Sequence, residues 1–159
     1  GRIVIKVDNL VDSNVIDALY EASESGAQVD LIVRSICCLR PGVEGLSERI
    51  RVRSIVGRFL EHARIFRFGS DARGPRYYIG SADLMPRNLD RRVEALVPVQ
   101  DPILAARVEE ILRANLEDDT LAWELGADGG WSRVRGESAV SVQDRLLAFA
   151  MKRAAGAET

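Results

Sequence analysis

The chain has 159 residues, 47% of them hydrophobic and 29% charged, with a formal net charge of −2, enough for one domain with a genuine core. No run of 18 apolar residues is available to cross a bilayer. The opening GRIVIKVDN lacks the hydrophobic stretch and small-residue cleavage site of a signal peptide, and the absent initiator Met leads us to expect a fragment.

In chain order, Ile3 to Val7 predicts a short strand. Asp12 or Ser13 then caps a helix with Val15, Ile16, Leu19 and Ala22 on its inner face, and Gly26 ends it. Residues Val29 to Val33, VDLIV, are rich in β-branched residues, as in a buried central strand, and a β-α-β unit of this kind prefers a right-handed parallel crossover. Arg34 leaves the C-terminal end of that strand, where open α/β sheets hold ligands. Adjacent Cys37 and Cys38 cannot easily bridge each other and lack metal partners at ligand spacing, so buried reduced thiols of a cytoplasmic protein are expected. Ser35 to Ser47, with Pro41, Gly42 and Gly45, predicts an ordered loop. Ile50 to Val56 alternates, with Arg51 and Arg53 on one face as solvated or cleft-wall charges.

The stretch from Gly57 to Glu94 carries the densest chemistry. GRFLEH, with the chain's one histidine, His62, reads as a helical segment running into a strand, ARIFRF. A turn from Gly69 to Pro75, with Arg73 and Arg76 at an exposed tip, leads to a second strand at Tyr77 to Ile79 and then to a polar loop, GSAD and MPRNLDRR. Antiparallel pairing of the two strands returns that loop beside His62. Imidazole, hydroxyl, carboxylate, amide and guanidinium groups thus converge. An imidazole can act as nucleophile, acid or base, and arginine forks match phosphate oxygens. The composition suggests phosphoryl chemistry, although spacing alone is met as simply by a partly buried histidine rimmed by solvated arginines. Thirteen basic and six acidic residues between Arg34 and Arg92 give +7, against nine and eighteen elsewhere, −9. Such segregation can focus a field on one cleft and attract polyanions.

Arg91 to Val99 predicts another strand with inward apolar positions. Asp101-Pro102 caps a helix whose stripe is Leu104, Val108, Ile111 and Leu112, running through Leu116. Trp123 and Trp131, either side of a turn at Ala127 to Gly130, read as packing residues. Ser141 with Asp144 resembles a capping box for a last helix carrying Leu146, Leu147 and Ala150, and the terminal AAGAET should fray.

The segments LIVRSICCLRPGVEGLSERIRVRSIVGRFLEHARI at 31–65 and YYIGSADLMPRNLDRRVE at 77–94 resemble the C-terminal catalytic domain of bacterial polyphosphate kinase, the histidine-dependent type, a phospholipase D-like family. The similarity covers about residues 3–134, so it implies a domain over 1–134 and a C-terminal helical extension over 135–159. The implied fold is a single α/β domain, a phospholipase D-like mixed β-sheet flanked by helices. Sites of that group combine two halves, each with an H-x-K type motif and a G-S-x-x-N-like loop. The counterparts here are His62-Ala63-Arg64, then Gly80-Ser81 and Asn88.

By resemblance Arg34 matches an arginine on nucleotide phosphates, and His62 matches the C-terminal active-site histidine, also in contact with ATP. Arg64, Ser81, Asp83, Arg87, Asn88 and Glu94 are secondary candidates. Ser81 and Asn88 either orient His62 or phosphate or only cap turns, and Asp83 is equally open to an Asx turn. Glu94, on a strand, either sets the tautomer of His62 or pairs with Arg91 or Arg92. The implied ligands are ATP or ADP and inorganic polyphosphate, with Mg2+ accompanying ATP. In this family the preceding domain carries the phosphorylated histidine and most magnesium ligands, so this chain is expected to hold no metal, to need those domains as partners, and to be inactive alone. A homo-oligomer is compatible with the same reading. Departures from the pattern are Asp8 and Asn9 where Asn and Ser are expected, Ser35 for a glycine, and Leu84 for a tryptophan. Two other functions remain open: a phospholipase D-like phosphodiesterase completed by dimerisation, or a non-catalytic module that binds polyanions or nucleic acid through the Arg34–Arg92 patch. Base stacking would then fall to Phe59, Phe66, Phe68, Tyr77 and Tyr78, whose strand spacing reads as core.

Overall fold

The computed structural model describes residues 1–156. The first strand, β1 (Arg2–Val7), is followed by α1 (Ser13–Glu24) and β2 (Gln28–Val33). The two strands pair in parallel from Arg2↔Gln28 to Val7↔Val33. Asp12 caps α1 through its side chain, which accepts from the Val15 amide. Gly26, at φ +87°, closes it in a conformation that costs glycine no side-chain clash.

β3 (Ile50–Ile55) extends the parallel set beyond β2, and β4 (Arg64–Gly69) pairs antiparallel with the other side of β1. β5 (Arg76–Gly80), α2 (Pro86–Asp90) and β6 (Leu96–Val99) follow, then α3 (Pro102–Glu117), β7 (Ala122–Leu125), β8 (Trp131–Arg133) and α4 (Val142–Gly156). The strands make one eight-stranded mixed sheet in the order β6-β5-β4-β1-β2-β3-β7-β8. The α/β architecture implied by the resemblance is therefore the one observed.

Strand alternation sends residues to two faces. Ile5, Val7, Leu31, Val33 and Phe66 join Ile16 and Leu19 of α1 on one. Val4, Ile32, Ile65 and Tyr77 join Leu112 and Ala114 of α3 and Val142 of α4 on the other. The described residues include no helix long and apolar enough to cross a membrane.

Several expectations are corrected. Residues 57–63 form no helix. The Gln143 side chain accepts from the Phe59 amide at 2.9 Å and donates to the Phe59 carbonyl at 2.8 Å, so α4 satisfies main-chain groups a helix would have used. A Cβ on Gly57 would lie 2.6 Å from Gln143 Oε1, and only glycine allows that approach. MPRNLDRR contains the short helix α2 with Pro86 in its first turn, rather than loop throughout. The strand predicted over Arg91–Val99 shrinks to β6, whose Leu96 and Val97 are exposed at the sheet edge, which leaves Glu94 in the connection before it.

Further corrections concern burial. Leu104, Leu147 and Ala150 are exposed, and the buried residues of α3 are Leu112, Ala114 and Asn115. Trp123 and Trp131, on the edge hairpin β7–β8, are exposed rather than packed, as are Phe59 and Phe68. Cys37 is half-buried and Cys38 exposed, both as free thiols. Arg51 is exposed, and Arg53 lines a small pocket beside Asp30 and Glu124, where it also donates to the Asn115 carbonyl at 3.2 Å and to Glu124 Oε1 at 2.8 Å, closing the C-terminal end of α3. Ala154 to Gly156 are helical at the end of α4, and residues 157–159 lie outside the described residues.

Candidate active site at the strand ends

Asp8 and Arg34 follow the last residues of the adjacent parallel strands β1 and β2. The Arg34 amide donates to the Val7 carbonyl at 3.2 Å and the Ser35 amide to the Asp8 carbonyl at 2.8 Å, so the ladder runs on into the site. Because β4 runs antiparallel to β1, its first residue, Arg64, lies at the same end, with His62 just before it. β5 ends there too, with Gly80 opposite Arg64, and delivers Ser81 and Asp83. This is the end where open sheets form ligand crevices.

The centre is Asp8, which is buried. Its Oδ1 lies 2.9 Å from Arg34 Nε, and its Oδ2 lies 3.0 Å from His62 Nε2 and 3.2 Å from Arg64 Nη2. A carboxylate oxygen only accepts, so Nε2 donates whenever it binds Asp8, while Arg64, which only donates, lies against both ring nitrogens, its Nη2 3.1 Å from Nε2. The His62 side chain is 64% exposed, and Arg64 holds its main chain by donating from Nη1 to the His62 carbonyl at 2.7 Å.

Behind them lies Asp83, also buried. Its Oδ1 accepts from the amides of Asp8 and Asn9 at 2.8 and 3.2 Å and from Arg64 Nε at 3.2 Å. Its Oδ2 accepts from Asn9 Nδ2 and Arg64 Nη2, both at 3.0 Å. Burial pushes the Asp83 carboxyl upward, but the bonds from Arg64, Asn9 and the two amides outweigh it and hold it below the usual carboxylate range. The Arg34 guanidinium is raised by its bond to Asp8 against the opposing effect of burial.

Ser81, Asn88 and Glu94 form a separate clip. Glu94 Oε1 accepts from Asn88 Nδ2 at 2.7 Å and Oε2 accepts from the Ser81 hydroxyl, while Ser81 Oγ accepts from the Ala95 amide at 3.1 Å. These bonds, Ser81 first and then Asn88, lower the Glu94 carboxyl. Its ion-pair partner is Arg92, with Nε 3.7 Å from Oε1. The acid that touches His62 is thus Asp8, not Glu94. Arg87 is exposed on α2 and has no ion-pair partner among the described residues.

In the sequence Asp8 stands out only as a departure from the family pattern. Its position after β1, level with Arg34 after β2, is the signal that would have found it. Of the other departures, Leu84 is buried and bridges Leu10, while Ser35 is exposed and engages Asp8 through its amide alone. The donor set does not fit magnesium. Asp8 and Asp83 are turned onto arginines and amides, and no group of three or more His, Cys, Asp or Glu able to hold a metal occurs among the described residues.

An α/β domain with a histidine between arginines and buried carboxylates at its strand ends is suited to anion chemistry. Residues 1–144 match the family model described as polyphosphate kinase C-terminal domain 2, and the chain belongs to that family. It is 52% identical over 148 residues to polyphosphate kinase 1 of Chlorobaculum tepidum, covering 92% of this chain and 21% of that protein. Against the polyphosphate kinase of Mycobacterium avium it is 54% identical over 132 residues, covering 83% and 18%. The crystal structure of polyphosphate kinase from Porphyromonas gingivalis superposes with a TM-score of 0.89 at 37% identity, over 96% of this chain and 24% of that one. The chain spans about one fifth of the length of the curated relatives it matches.

Proposed function

We propose that this chain supplies half of the active site of a polyphosphate kinase, an enzyme that transfers the γ-phosphate of ATP reversibly to inorganic polyphosphate. The observation that carries this reading is the meeting of Arg34, His62 and Arg64 at one end of the sheet in a chain of this family. Phosphoryl transfer asks chiefly for positioned cations around charge that moves between attacking and leaving oxygens. In this reading Arg34 binds a phosphate of ATP, and His62, the more exposed group, donates a hydrogen bond or proton to a phosphate oxygen. Arg64 fixes the main chain of His62, Asp83 fixes Arg64, and the Ser81–Glu94–Asn88 clip shapes the loop that carries Asp83.

The phosphorylated histidine and the magnesium that accompanies ATP belong to the remainder of the enzyme, which is the partner this chain requires. A reducing, cytoplasmic setting goes with this reading and is supported by the free thiols Cys37 and Cys38. Family membership favours this reading over a phosphodiesterase or a nucleic-acid module.

The test has two arms. The chain alone, with magnesium and ATP labelled on the γ-phosphate, is expected to gain no acid-labile label and to make no polymer. In the complete enzyme, His62→Ala is expected to lower turnover by about 10²- to 10⁴-fold. Label on His62 of the isolated chain, or near-normal turnover of the variant, overturns the reading.

A further inference from the structure

One donor of each group assigned to phosphate, Arg34 Nε and His62 Nε2, is already engaged by a carboxylate of the protein. Asp8 Oδ1 takes Arg34 Nε, and Oδ2 takes His62 Nε2. A phosphate oxygen that binds His62 at Nε2 must take the place of Asp8 Oδ2, because one N–H serves one strong acceptor at a time. The local charges also balance: Arg34 and Arg64 face Asp8 and Asp83. A balanced cluster attracts a polyanion far less than a cluster with one carboxylate fewer.

The main chain at this position does not depend on the Asp8 side chain. Its amide is held by Asp83 at 2.8 Å and its carbonyl accepts from the Ser35 amide at 2.8 Å. The carboxylate can therefore leave its donors while the loop stays in place.

We propose that Asp8 sets the affinity of this half-site for phosphate anions, acting as an internal counter-anion that occupies His62 and Arg34 until a phosphate oxygen displaces it. This rests on the reading that Arg34 and His62 bind phosphate. An internally occupied site lowers apparent affinity by the fraction of time its donors are free, and a negative charge a few ångströms from the ligand lowers it again. The same carboxylate competes with product phosphate, so it speeds release as well as weakening capture.

The test is calorimetric titration of tripolyphosphate, at fixed ionic strength, into the complete enzyme carrying this chain. Asp8→Asn, which keeps the shape and removes the charge, is expected to tighten binding by about tenfold. It should also lower the KM for ATP without raising kcat. Asp8→Ser carries the same expectation should the asparagine variant fold poorly. Arg34→Ala, measured alongside, is expected to weaken binding. Unchanged or weaker binding by the Asp8 variants, with Arg34→Ala weakening as expected, overturns the role of Asp8 alone. Unchanged binding by Arg34→Ala overturns the half-site reading, and the proposal with it.

Discussion

Arg64 and Arg67 lie three positions apart on β4, and strand alternation sends them to opposite faces of the sheet. Arg67 is the more deeply buried, at 1% exposure against 7%. It pairs with Asp71, stands 3.4 Å from Glu109 Oε2 and donates to the Gly69 carbonyl at 2.9 Å, tying the hairpin tip to α3. Its acidic partners reach water, Asp71 being 81% and Glu109 38% exposed. The partners of Arg64 are the reverse: Asp8 and Asp83 are buried, and the exposed neighbour is His62. Depth of burial alone does not mark the functional arginine. The distinguishing feature is a buried acid pair that holds the arginine beside an exposed reactive group.

The contrast predicts an order of stabilities that burial would reverse. Arg64→Met leaves two buried carboxylates short of a partner, and such uncompensated charge is strongly destabilising, here by about 4 kcal/mol. Arg67→Met leaves Asp71 and Glu109 free to turn to solvent and fills much of the vacated volume, so about 2 kcal/mol is expected. Urea unfolding of the two variants at neutral pH measures the difference. A larger loss for Arg67→Met would sink the comparison.

The acid pair can be probed through pH. The carboxyl of Asp83 is lowered in the folded protein, so the unfolded chain takes up its proton first as pH falls. The stability from this group is fully present above the ordinary carboxyl value of about 4 and is lost as pH drops through its lower folded value. Asp83→Asn should cost about 3 kcal/mol at neutral pH and flatten the decline of stability below about pH 4. Parallel declines for the variant and the parent protein would mean that other carboxylates dominate acid unfolding.

The parallel core is legible because Val29, Leu31, Ile32 and Val33 make a nearly continuous apolar run, broken only by Asp30, and the neighbouring signals, the Asp12 cap and Gly26, act within a few residues. The position of Arg34 followed from the same local pattern. The path of residues 57–63 was not legible: GRFLEH has helical spacing, and what overrides it is Gln143, 84 positions away from Phe59. The role of Asp8 was hidden in the same way, since its contacts with Arg34, His62 and Arg64 join β1, β2 and β4 across gaps no sequence period spans. A strand through Glu94 leaves it open to His62 or to Arg91 or Arg92; the shorter β6 puts it on Ser81 and Asn88, with Arg92 as its ion-pair partner. Charge counting over Arg34–Arg92 overstated the basic cleft, since Arg53 and Arg67 are spent on α3 and the hairpin tip.

The smallest expected effect lies on the Arg67 side. Tyr77 is buried there, and its hydroxyl donates to Glu109 Oε2 at 2.8 Å. Burial first, and then Glu109, push the phenol up from its usual 10 to about 12. A group whose folded value is raised contributes stability that is complete below its unfolded value and is lost as pH rises through the folded one. For Tyr77 that window runs from 10 to about 12. Tyr77→Phe removes one hydrogen bond while keeping the ring among its apolar neighbours, so it should cost about 1 kcal/mol at neutral pH. The variant should also lose less stability than the parent protein across the alkaline window, so that the gap between the two unfolding midpoints closes within it. If they stay apart there, the Tyr77 hydroxyl is not the group that titrates, and the coupling of the hairpin to α3 rests on Arg67 alone.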